Sequence, residues 1–579
     1  MEDGLPASLL PGAGVAPDAT GGNFWRDDAA LADLLALRME GRLREHLAPH
    51  FDRLGGLAAG ALDQLARAID ANPPVLCPRD RFGRDDFRID HHPAWHQAEQ
   101  LLMGEFGLHA IGHRGGILGW PQPLPPVAKY AFQYLVATAE FGLLCPISMT
   151  DSLTRVLRRF ASPALLQAWL PRLTSQKPGS WMTGAMFMTE LAAGSDVGAI
   201  ETTARLHNGA WRLSGRKWFC SNAGCDVALT LARVSAEPGT RGLGLFLLPR
   251  RLADGSPNHW RIVRLKEKLG TRGMASGEAI LDGALAEPVG DLARGFVQMA
   301  EMVNLSRVSN GVRAAGLMRR AWLEARAASR GRRAFGRAVI DFPLQRRQLL
   351  KLLLAAEQAL SFSIWTAALM ERADDGDGEA ARLLRLATPL LKFRACRDAR
   401  KACGEAMEAR GGNGYVEEFV EPRLLRDAHL GSIWEGTSNI VAEDAIRRAV
   451  GREHIGEPFA EALVADLAEA PLAAAAPAAE AMRRAAAFAE DVADEPALHR
   501  QAASALYRAA TACLFVIEGA AIHHRRGDAR RMLLSRLVLD HQLAARDPMA
   551  RGDITAEAAI AEALLGEEAL GLDAVLRLL

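Results

Sequence analysis

The segment SIWEGTSNI, residues 432–440, places one carboxylate, Glu435, between a tryptophan and a glycine. Burial among apolar groups disfavours the charged form of a carboxylate and raises its affinity for protons. Such a group is suited to remove a weakly acidic proton near neutral pH. The same segment also suits the start of a helix, with Thr437 and Ser438 capping the helical pattern that follows. Taken alone, the segment leaves both interpretations open.

Four other segments carry groups that suit ligand binding. MTELAAGSD (188–196) offers hydroxyls and backbone amides that could cradle a phosphate or a flavin edge, although a Gly-Ser-Asp turn is also an ordinary loop. GRKWFCSNAG (215–224) contains adjacent aromatic residues, and in a regular strand one of them must face the core. RRAFG (332–336) and RGGNGY (410–415) also suit a helix end and a helix cap.

The elements that must position these segments fall into four stretches of an α+β chain. Residues 1–180 are predicted to be mainly helical, in short pieces cut by proline clusters. Residues 181–288 show short β runs separated by turn signals, and they predict a central β module. Residues 289–450 predict a bundle of long helices, and residues 451–579 predict a further helical domain.

Two local patterns sharpen this division. Asn208-Gly209 lies between two β runs and predicts a tight hairpin, since both residues tolerate positive φ. EAPLAAAAPAAEA (469–481) is rich in alanine and proline and predicts a joint between helices. We find no internal repeat at 20 to 50 residues.

The composition excludes several function classes. Lys plus Arg and Asp plus Glu number 69 each among 579 residues, so no global field favours nucleic acid or a membrane surface. The seven cysteines form no C-x-x-C pair, which indicates reduced thiols in a cytoplasmic protein and no metal site. Glu2 and Asp3 follow the first methionine, so no secretory signal is expected. No uncharged apolar run approaches the roughly 20 residues of a membrane helix.

Together, and in this order, the five motifs resemble those of the acyl-CoA dehydrogenase family over about residues 90 to 450. The similarity is greatest to the DNA-alkylation-response (AidB-like) branch of flavoproteins. NPPVL (72–76), HHPAWHQ (91–97), LLCPISMT (143–150) and the extra domain after residue 450 support that branch. The resemblance implies an N-terminal helical domain, a β-barrel-like domain, a helical bundle and an additional C-terminal helical domain.

The resemblance also implies a reaction. Glu435 would remove the α-proton of an acyl-CoA thioester while hydride passes from the β-carbon to N5 of FAD. Some relatives place the base on an earlier helix, where this chain has Ser306, so Glu435 is the base that the chain offers. Arg307 would neighbour it in the substrate pocket. The family also implies a homotetramer and, as electron acceptor, an electron-transfer flavoprotein.

The same resemblance implies the FAD contacts. Those for the flavin ring and pyrophosphate are Met188, Thr189, Gly194, Ser195, Trp218, Phe219 and Ser221. Those for the rest of the dinucleotide, partly of a neighbouring subunit, are Arg332, Phe335, Gly412, Thr437 and Asn439. The chain departs from the family at Pro343 and Glu408, where relatives usually carry glutamine, so two FAD contacts are missing or replaced.

The branch suggests a second function, which is the binding of double-stranded DNA in the alkylation response with little dehydrogenase turnover. Residues 451–579 contain 13 arginines, no lysines and 20 acids, which opposes the attraction to phosphates that dominates non-specific DNA binding. A local cluster of basic residues nevertheless favours DNA binding, since concentrated basic patches do bind DNA. The candidate DNA contacts in this cluster are Arg525, Arg526, Arg530 and Arg531.

Overall fold

The structure is a computed structural model that describes residues 14–545, 547–566 and 568–579. The helices of its first half are α1 (Ala29–Arg38), α2 (Gly41–Ala58), α3 (Ala61–Ala71), α4 (Pro93–Glu99), α5 (Pro126–Ala137), α6 (Leu144–Phe160), α7 (Pro163–Leu173) and α8 (Gly295–Gly331). The later helices are α9 (Pro343–Asp374), α10 (Gly378–Arg410), α11 (Glu421–Gly431), α12 (Ser438–Glu443), α13 (Gly456–Ala465), α14 (Leu472–Asp491), α15 (His499–Arg526), α16 (Met532–Val538), α17 (Ile554–Leu565) and α18 (Leu572–Leu576). The strands are β1 (Val75–Arg79), β2 (Asp85–Asp90), β3 (Gly184–Phe187), β4 (Thr203–His207), β5 (Ala210–Ser221), β6 (Val227–Arg233), β7 (Leu243–Pro249), β8 (Trp260–Leu265), β9 (Ser276–Pro288), β10 (Arg333–Ala334) and β11 (Arg337–Ala338).

The chain divides into two compact units. The β-containing unit comprises residues 39–313 and 433–440. The helical unit comprises residues 314–432 and 441–579 together with the described part of residues 1–38. The division assigns the first half of α8 to the β-containing unit and its second half to the helical unit.

A sheet that closes on itself forms the core of the β-containing unit. Around the ring, β6 pairs with β4, β4 with β5, β5 with β9, β9 with β7, and β7 again with β6. Phe187, Leu213 and Phe246 are fully buried among its inward-facing residues. Asn208 and Gly209 join β4 to β5 at φ of 49° and 78°, so the predicted hairpin and the barrel-like domain are both confirmed.

Long helices dominate the helical unit, as the apolar patterns predict. α9 and α10 have 32 and 33 residues and bury most of their apolar side chains. α10 ends at Arg410, where Gly411 takes a φ of 79° that favours glycine and stops the helix.

The N-terminal stretch is mainly helical, as predicted, and it also contains an antiparallel hairpin, β1–β2. One sequence-based expectation about local structure is wrong. Residues 472–491 form helix α14 where the alanine- and proline-rich stretch predicts a joint. Alanine has the highest helix propensity, and Ala474, Ala475 and Ala478 bury one face of the helix. This packing outweighs the backbone hydrogen bond that is lost at Pro477.

Two apolar segments of the described chain have the length and hydropathy of a membrane span. They are Pro343–Asp374 and Pro496–Arg526, and 89% and 78% of their most apolar windows are buried inside the protein. Mostly buried core helices pass the same test, so the pattern is weak evidence for a membrane segment.

Candidate active site

Glu435 lies in the turn between α11 and α12 and belongs to the β-containing unit. Its backbone is left-handed, with a φ of 56°, and Gly436 follows at 98°. A residue with a side chain adopts this conformation only when its surroundings hold it there, at a cost of about 1–3 kcal/mol. Both Glu435 and Trp434 are half-buried. The turn is therefore a strained segment that fixes the positions of the Glu435 carboxylate and the Trp434 indole.

Two arginines of α8 contact this turn. Nε of Arg307 donates a hydrogen bond to the main-chain carbonyl of Glu435 at 3.2 Å. The guanidinium of Arg313 lies 4.9 Å from the ring centroid of Trp434 and 5.1 Å from that of Phe141. The structure thus places Arg307 beside Glu435, and it adds Arg313, which the sequence motifs did not single out.

The pKa of the buried Cys145 thiol depends on charged groups that include Glu435. Burial raises the pKa of Cys145 to about 11, with Arg313 and Lys268 acting against the rise and Glu435 adding to it. These three charged groups therefore lie within electrostatic reach of one buried atom.

Lys268 connects this cluster to the strand that carries Ser221. Its Nζ donates to the Met274 carbonyl at 2.6 Å and to the Ser276 hydroxyl at 3.2 Å. Ser276 is the register partner of Ser221 at the end of the β5–β9 ladder. Glu435, Arg307 and Ser221 therefore belong to the same unit.

The aromatic pair of β5 corrects one expectation. Neither ring faces the barrel core, because the β5–β9 register shifts between Lys217 and Cys220. Lys217 and Cys220 point inward and are buried, whereas Trp218 is half-buried and Phe219 is 53% exposed. A β-bulge of this kind re-aims side chains next to functional sites. The ammonium of Lys266 lies 3.6 Å and 4.7 Å from the two ring centroids.

The bulged strand is attached to the MTELAAGSD segment. The amide of Trp218 donates to the Thr189 carbonyl at 2.8 Å. Nζ of the fully buried Lys217 lies 2.7 Å from Oε1 of Glu190 and donates to the Leu231 carbonyl at 2.9 Å. These contacts hold Met188 and Thr189 beside Trp218, as an arrangement around a shared ligand requires.

The remaining predicted FAD residues lie at the surface. Gly194 and Ser195 are exposed in the loop after Ala193, and Thr437 and Asn439 are exposed around the first turn of α12. Exposure leaves their hydroxyl, amide and backbone groups accessible to a ligand. No distance in the β-containing unit tests their individual roles, which stay predictions.

A second group of predicted residues belongs to the helical unit. Phe335 sits at the tip of the β10–β11 hairpin, at a φ of 50°, and is 95% exposed. Arg332 precedes this hairpin, and Gly412 begins the short turn after α10. Arg332 and Gly412 are also exposed. The residues predicted to reach the dinucleotide of a neighbouring subunit are thus exposed to solvent.

The arginines predicted to contact DNA are largely engaged within the helical unit. Arg531 is buried, and it pairs with Glu357 at 2.6 Å and with Glu518 at 2.7 Å. Arg530 pairs with Asp528, and Arg526 pairs with Asp33 and Asp528. Arg525 donates to a main-chain carbonyl. The assignment of Arg531 to a DNA-binding surface is therefore wrong, because a buried, doubly paired guanidinium cannot reach a phosphate.

The β-containing unit fits a flavin. Bulged aromatic rings form an accessible, partly apolar surface, and apolar side chains that are more than half exposed occur near the motifs, at Leu191, Phe219, Leu269 and Ile433. Exposed apolar groups of this kind mark surfaces that a ligand or partner covers. The Trp434 indole nitrogen is buried and has no hydrogen-bond partner in the described part of the chain.

Comparison with known proteins agrees with this architecture. The family models that match are "Adaptive response protein AidB N-terminal domain" (residues 15–178), "Acyl-CoA dehydrogenase, middle domain" (185–284) and "Acyl-CoA dehydrogenase, C-terminal domain" (293–451). Acyl-CoA dehydrogenase family member 11 of Caenorhabditis elegans is 33% identical, over 75% of this chain and 72% of its own. AidB of Escherichia coli (strain K12) is 35% identical, over 76% of this chain and 81% of its own.

Solved structures show the same similarity. The structure of Caenorhabditis elegans ACDH-11 in complex with C11-CoA superposes with a TM-score of 0.84 at 28% identity and covers 93% of this chain and 94% of its own. The Bd2924 apo-form superposes with a TM-score of 0.79 at 31% identity and covers 87% and 99%.

The fold and family models define an FAD-dependent dehydrogenase, with a helical N-terminal domain, a β barrel and a C-terminal helical bundle. The chain belongs to the acyl-CoA dehydrogenase family, and its N-terminal domain is of the AidB type. Its cofactor is accordingly FAD.

Sequence reasoning missed three residues of the site, Cys145, Lys268 and Arg313. Arg313 carries a signal that could have been used, since it is a cation within an otherwise small and apolar stretch of α8 that is buried nearly all round. Cys145 lies in LLCPISMT, a stretch that was used only for the resemblance, and Lys268 lies in a segment with no motif, so only the electrostatic contacts of the Cys145 thiol identify them.

Proposed function

We propose that the protein oxidises an acyl-CoA thioester at its α,β bond and that Glu435 is the catalytic base. The observation that carries the proposal is the setting of this carboxylate, on a strained turn with Arg307 on its main chain and Arg313 on the adjacent Trp434. A carboxylate held in one orientation is suited to act as a general base. The complex of ACDH-11 with C11-CoA supports a thioester as the substrate class.

The residues of the chain then have separate tasks. The Glu435 carboxylate takes the α-proton as the α C–H bond breaks. FAD, when bound, supplies at N5 the acceptor for the hydride that leaves the β-carbon, so the thioester loses two hydrogens and gains a double bond. Arg307 and Arg313 hold the turn that aims Glu435. The Trp218–Phe219 bulge and the attached Met188–Thr189 segment would hold the ring.

Assembly and electron acceptor belong to the same proposal. Phe335, Leu344 and Tyr415 of the helical unit are 95%, 81% and 81% exposed, which supports their coverage by another subunit. We infer a homotetramer in which Arg332, Phe335 and Gly412 complete a neighbour's FAD site. An electron-transfer flavoprotein is the acceptor we propose. A relative that is 27% identical is named as a subunit of a caffeyl-CoA reductase-Etf complex.

The experiment is anaerobic titration of the FAD-loaded protein with acyl-CoA thioesters of graded chain length. At least one thioester should bleach the flavin absorbance, and Glu435→Gln should abolish bleaching while thioester binding persists. Glu443→Gln, an exposed carboxylate on α12 that pairs with Arg447, is the matched control and should bleach normally. The proposal fails if no thioester bleaches the flavin, or if Glu435→Gln bleaches as wild type does.

Duplex DNA binding is the second candidate function, and no contact in the helical unit favours it. The guanidiniums on which it was based bond mostly to carboxylates and carbonyls of the same chain. It stays a prediction from the resemblance to AidB-like proteins.

A further inference from the structure

A cavity of about 310 Å³ lies within the helical unit, away from every residue assigned above. Helices α9, α10 and α15 enclose it together with the segment around His541. The volume falls at the lower end of small-molecule sites. Its apolar wall is formed by Leu350, Leu352, Leu354, Ala355, Ala402 and Leu537.

Positive charge exceeds negative charge around this cavity. The lining contains five cationic side chains, Arg347, Lys351, Arg394, Lys401 and Arg508, and three carboxylates, Asp398, Glu405 and Glu557. Arg347 pairs with Glu557 at 3.3 Å, and Arg394 pairs with Asp398. Lys351 and Lys401 make no ion pair within the described chain, and both are exposed at the cavity.

The two arginines at the inner wall leave hydrogen-bonding capacity unused. Nη1 of Arg508 donates to the Gln542 carbonyl at 3.0 Å, and Nη1 of Arg394 donates to the Ser504 hydroxyl at 3.3 Å. The Nε atoms of Arg394 and Arg508 are both buried and lack a partner in the described part of the chain. A buried donor without an acceptor is costly, so each of these arginines has a donor that the described part of the chain leaves unsatisfied.

The charges of Arg394 and Arg508 also favour a bound anion. Burial lowers the pKa of Arg508, and the neighbouring charge of Arg394 lowers it further. Two guanidiniums in a poorly hydrated site repel each other, and Asp398 alone does not neutralise both. An anion bound between them would supply the missing charge and the missing acceptors together.

We propose that this cavity binds a small carboxylate with a short aliphatic chain. The carboxylate would accept from Arg394 and Arg508, with Lys401 at the entrance, and the chain would lie along the leucines of α9. Planar carboxylates match the fork of an arginine, and the apolar wall favours an organic over an inorganic anion. The site is separate from the proposed dehydrogenase chemistry and does not depend on it.

The test is calorimetric titration of the full-length FAD-loaded protein with hexanoate and, separately, with inorganic phosphate. Hexanoate should bind saturably and more tightly than phosphate. Arg508→Gln should weaken hexanoate binding at least tenfold, and Lys401→Gln should weaken it by a smaller factor. Arg483→Gln, which removes an exposed arginine paired with Glu461 elsewhere in the helical unit, should leave it unchanged.

Thermal melting separates a ligand site from a structural role. Without hexanoate, Arg508→Gln should melt no lower than wild type, because it removes one of two mutually repelling charges. With hexanoate, wild type should gain stability and the variant should not. Hexanoate binding that is absent, or that is unaffected by both Arg508→Gln and Lys401→Gln, overturns the proposal. Should Arg508→Gln fail to fold, Lys401→Gln decides alone, and tighter binding of phosphate than of hexanoate refutes the organic ligand.

Discussion

The guanidinium of Arg313 lies 4.9 Å from the ring centroid of Trp434, the residue directly before the proposed base. Phe141 lies on the same cation at 5.1 Å, and its ring is nearly parallel to the indole at 6.1 Å. Arg313 is 1% exposed, so these contacts are made out of water, where a cation–π pair contributes about 2 kcal/mol. The arginine therefore orients the turn that carries Glu435.

Arg313→Gln should lower the rate of flavin bleaching about tenfold or more, because the turn loses its anchor. It should also move the acidic limb of the pH profile to higher pH, since a carboxylate that loses a cationic neighbour is harder to ionise. Arg313→Lys should restore the pH profile in part. The measurement is the bleaching rate against pH in a stopped-flow spectrophotometer.

The matched control is Arg326→Gln, which removes an arginine 4.3 Å from the Trp322 ring on the same helix. This variant should keep the wild-type pH profile. An Arg313→Gln enzyme whose rate falls without any shift of the profile would show that the residue supports the fold only.

The ion pair between Lys217 and Glu190 is expected to hold the flavin surface together. Burial lowers the pKa of Lys217, against the opposing pull of Glu190. Glu190→Gln would leave that ammonium buried without its anion, at a cost of about 3–5 kcal/mol. We expect a matching loss of unfolding free energy in urea and a lower ratio of FAD to protein after dialysis.

A double variant provides the control for this pair. Lys217→Met combined with Glu190→Gln removes both charges, keeps an acceptor for the Thr202 amide and hydroxyl, and should recover most of the lost stability. If Glu190→Gln alone unfolds at the same urea concentration as wild type, the pair does not have this role.

The buried carboxylate of Asp151 on α6 predicts that the stability of the folded protein depends on pH. Oδ2 of Asp151 accepts from Lys129 at 2.9 Å, Oδ1 lies 3.0 Å from Nε2 of His113, and all three residues are buried. Burial alone would raise the pKa of Asp151, but the charge and hydrogen bonds of Lys129 and His113 hold it well below its usual range. The folded state therefore binds fewer protons here than the unfolded state does, so this contribution is present above the unfolded pKa of about 3.9 and is lost as the pH falls below it.

Asp151→Asn should accordingly lower the unfolding free energy by about 3–5 kcal/mol at pH 7. The difference from wild type should shrink as the pH falls below about 4. Urea unfolding at several pH values measures it, with Asp254→Asn on an exposed turn as a control that should change little. A difference that stays constant down to pH 3 would contradict the assignment.

Arg531 should prove to be a structural residue of the helical unit. Its two carboxylate partners, Glu357 and Glu518, come from α9 and α15. Glu357 also pairs with Arg319, so Arg531→Gln deprives Glu518 of this cation and leaves Glu357 with Arg319. We expect a loss of about 3–5 kcal/mol in unfolding free energy. Arg525→Gln, whose exposed side chain bonds to a carbonyl, should change stability by less than about 0.5 kcal/mol.

Mobility shifts with duplex DNA extend this comparison. We expect neither substitution to weaken any DNA binding, because Arg531 is enclosed and Arg525 already has an acceptor within the chain. A clear drop in affinity for Arg525→Gln at low salt would return this arginine to the candidate DNA surface.

The sequence predicted helices and strands well wherever one spacing of apolar residues, or one turn signal, dominated a segment. The apolar residues of α9 recur around the whole helix, and Asn208-Gly209 specifies its hairpin through backbone sterics alone. The alanine-rich α14 was missed because its stability depends on a face packed against other helices. The bulge in β5 was missed because a register shift is decided by the partner strand β9.

By itself the sequence determined the order of the motifs and the succession of helical, β and helical domains, and its resemblance to the family led to the proposal of Glu435 as the base. Only the tertiary structure decided that Trp218 and Phe219 both turn outward, that Arg313 lies against Trp434, and that Arg531 is buried. Each of these features depends on contacts between residues far apart in the chain. Arg307 and Glu435, for example, are separated by 128 positions. Periodicity and turn chemistry describe neighbours along the chain, whereas contacts of this kind arise only when separate elements pack together.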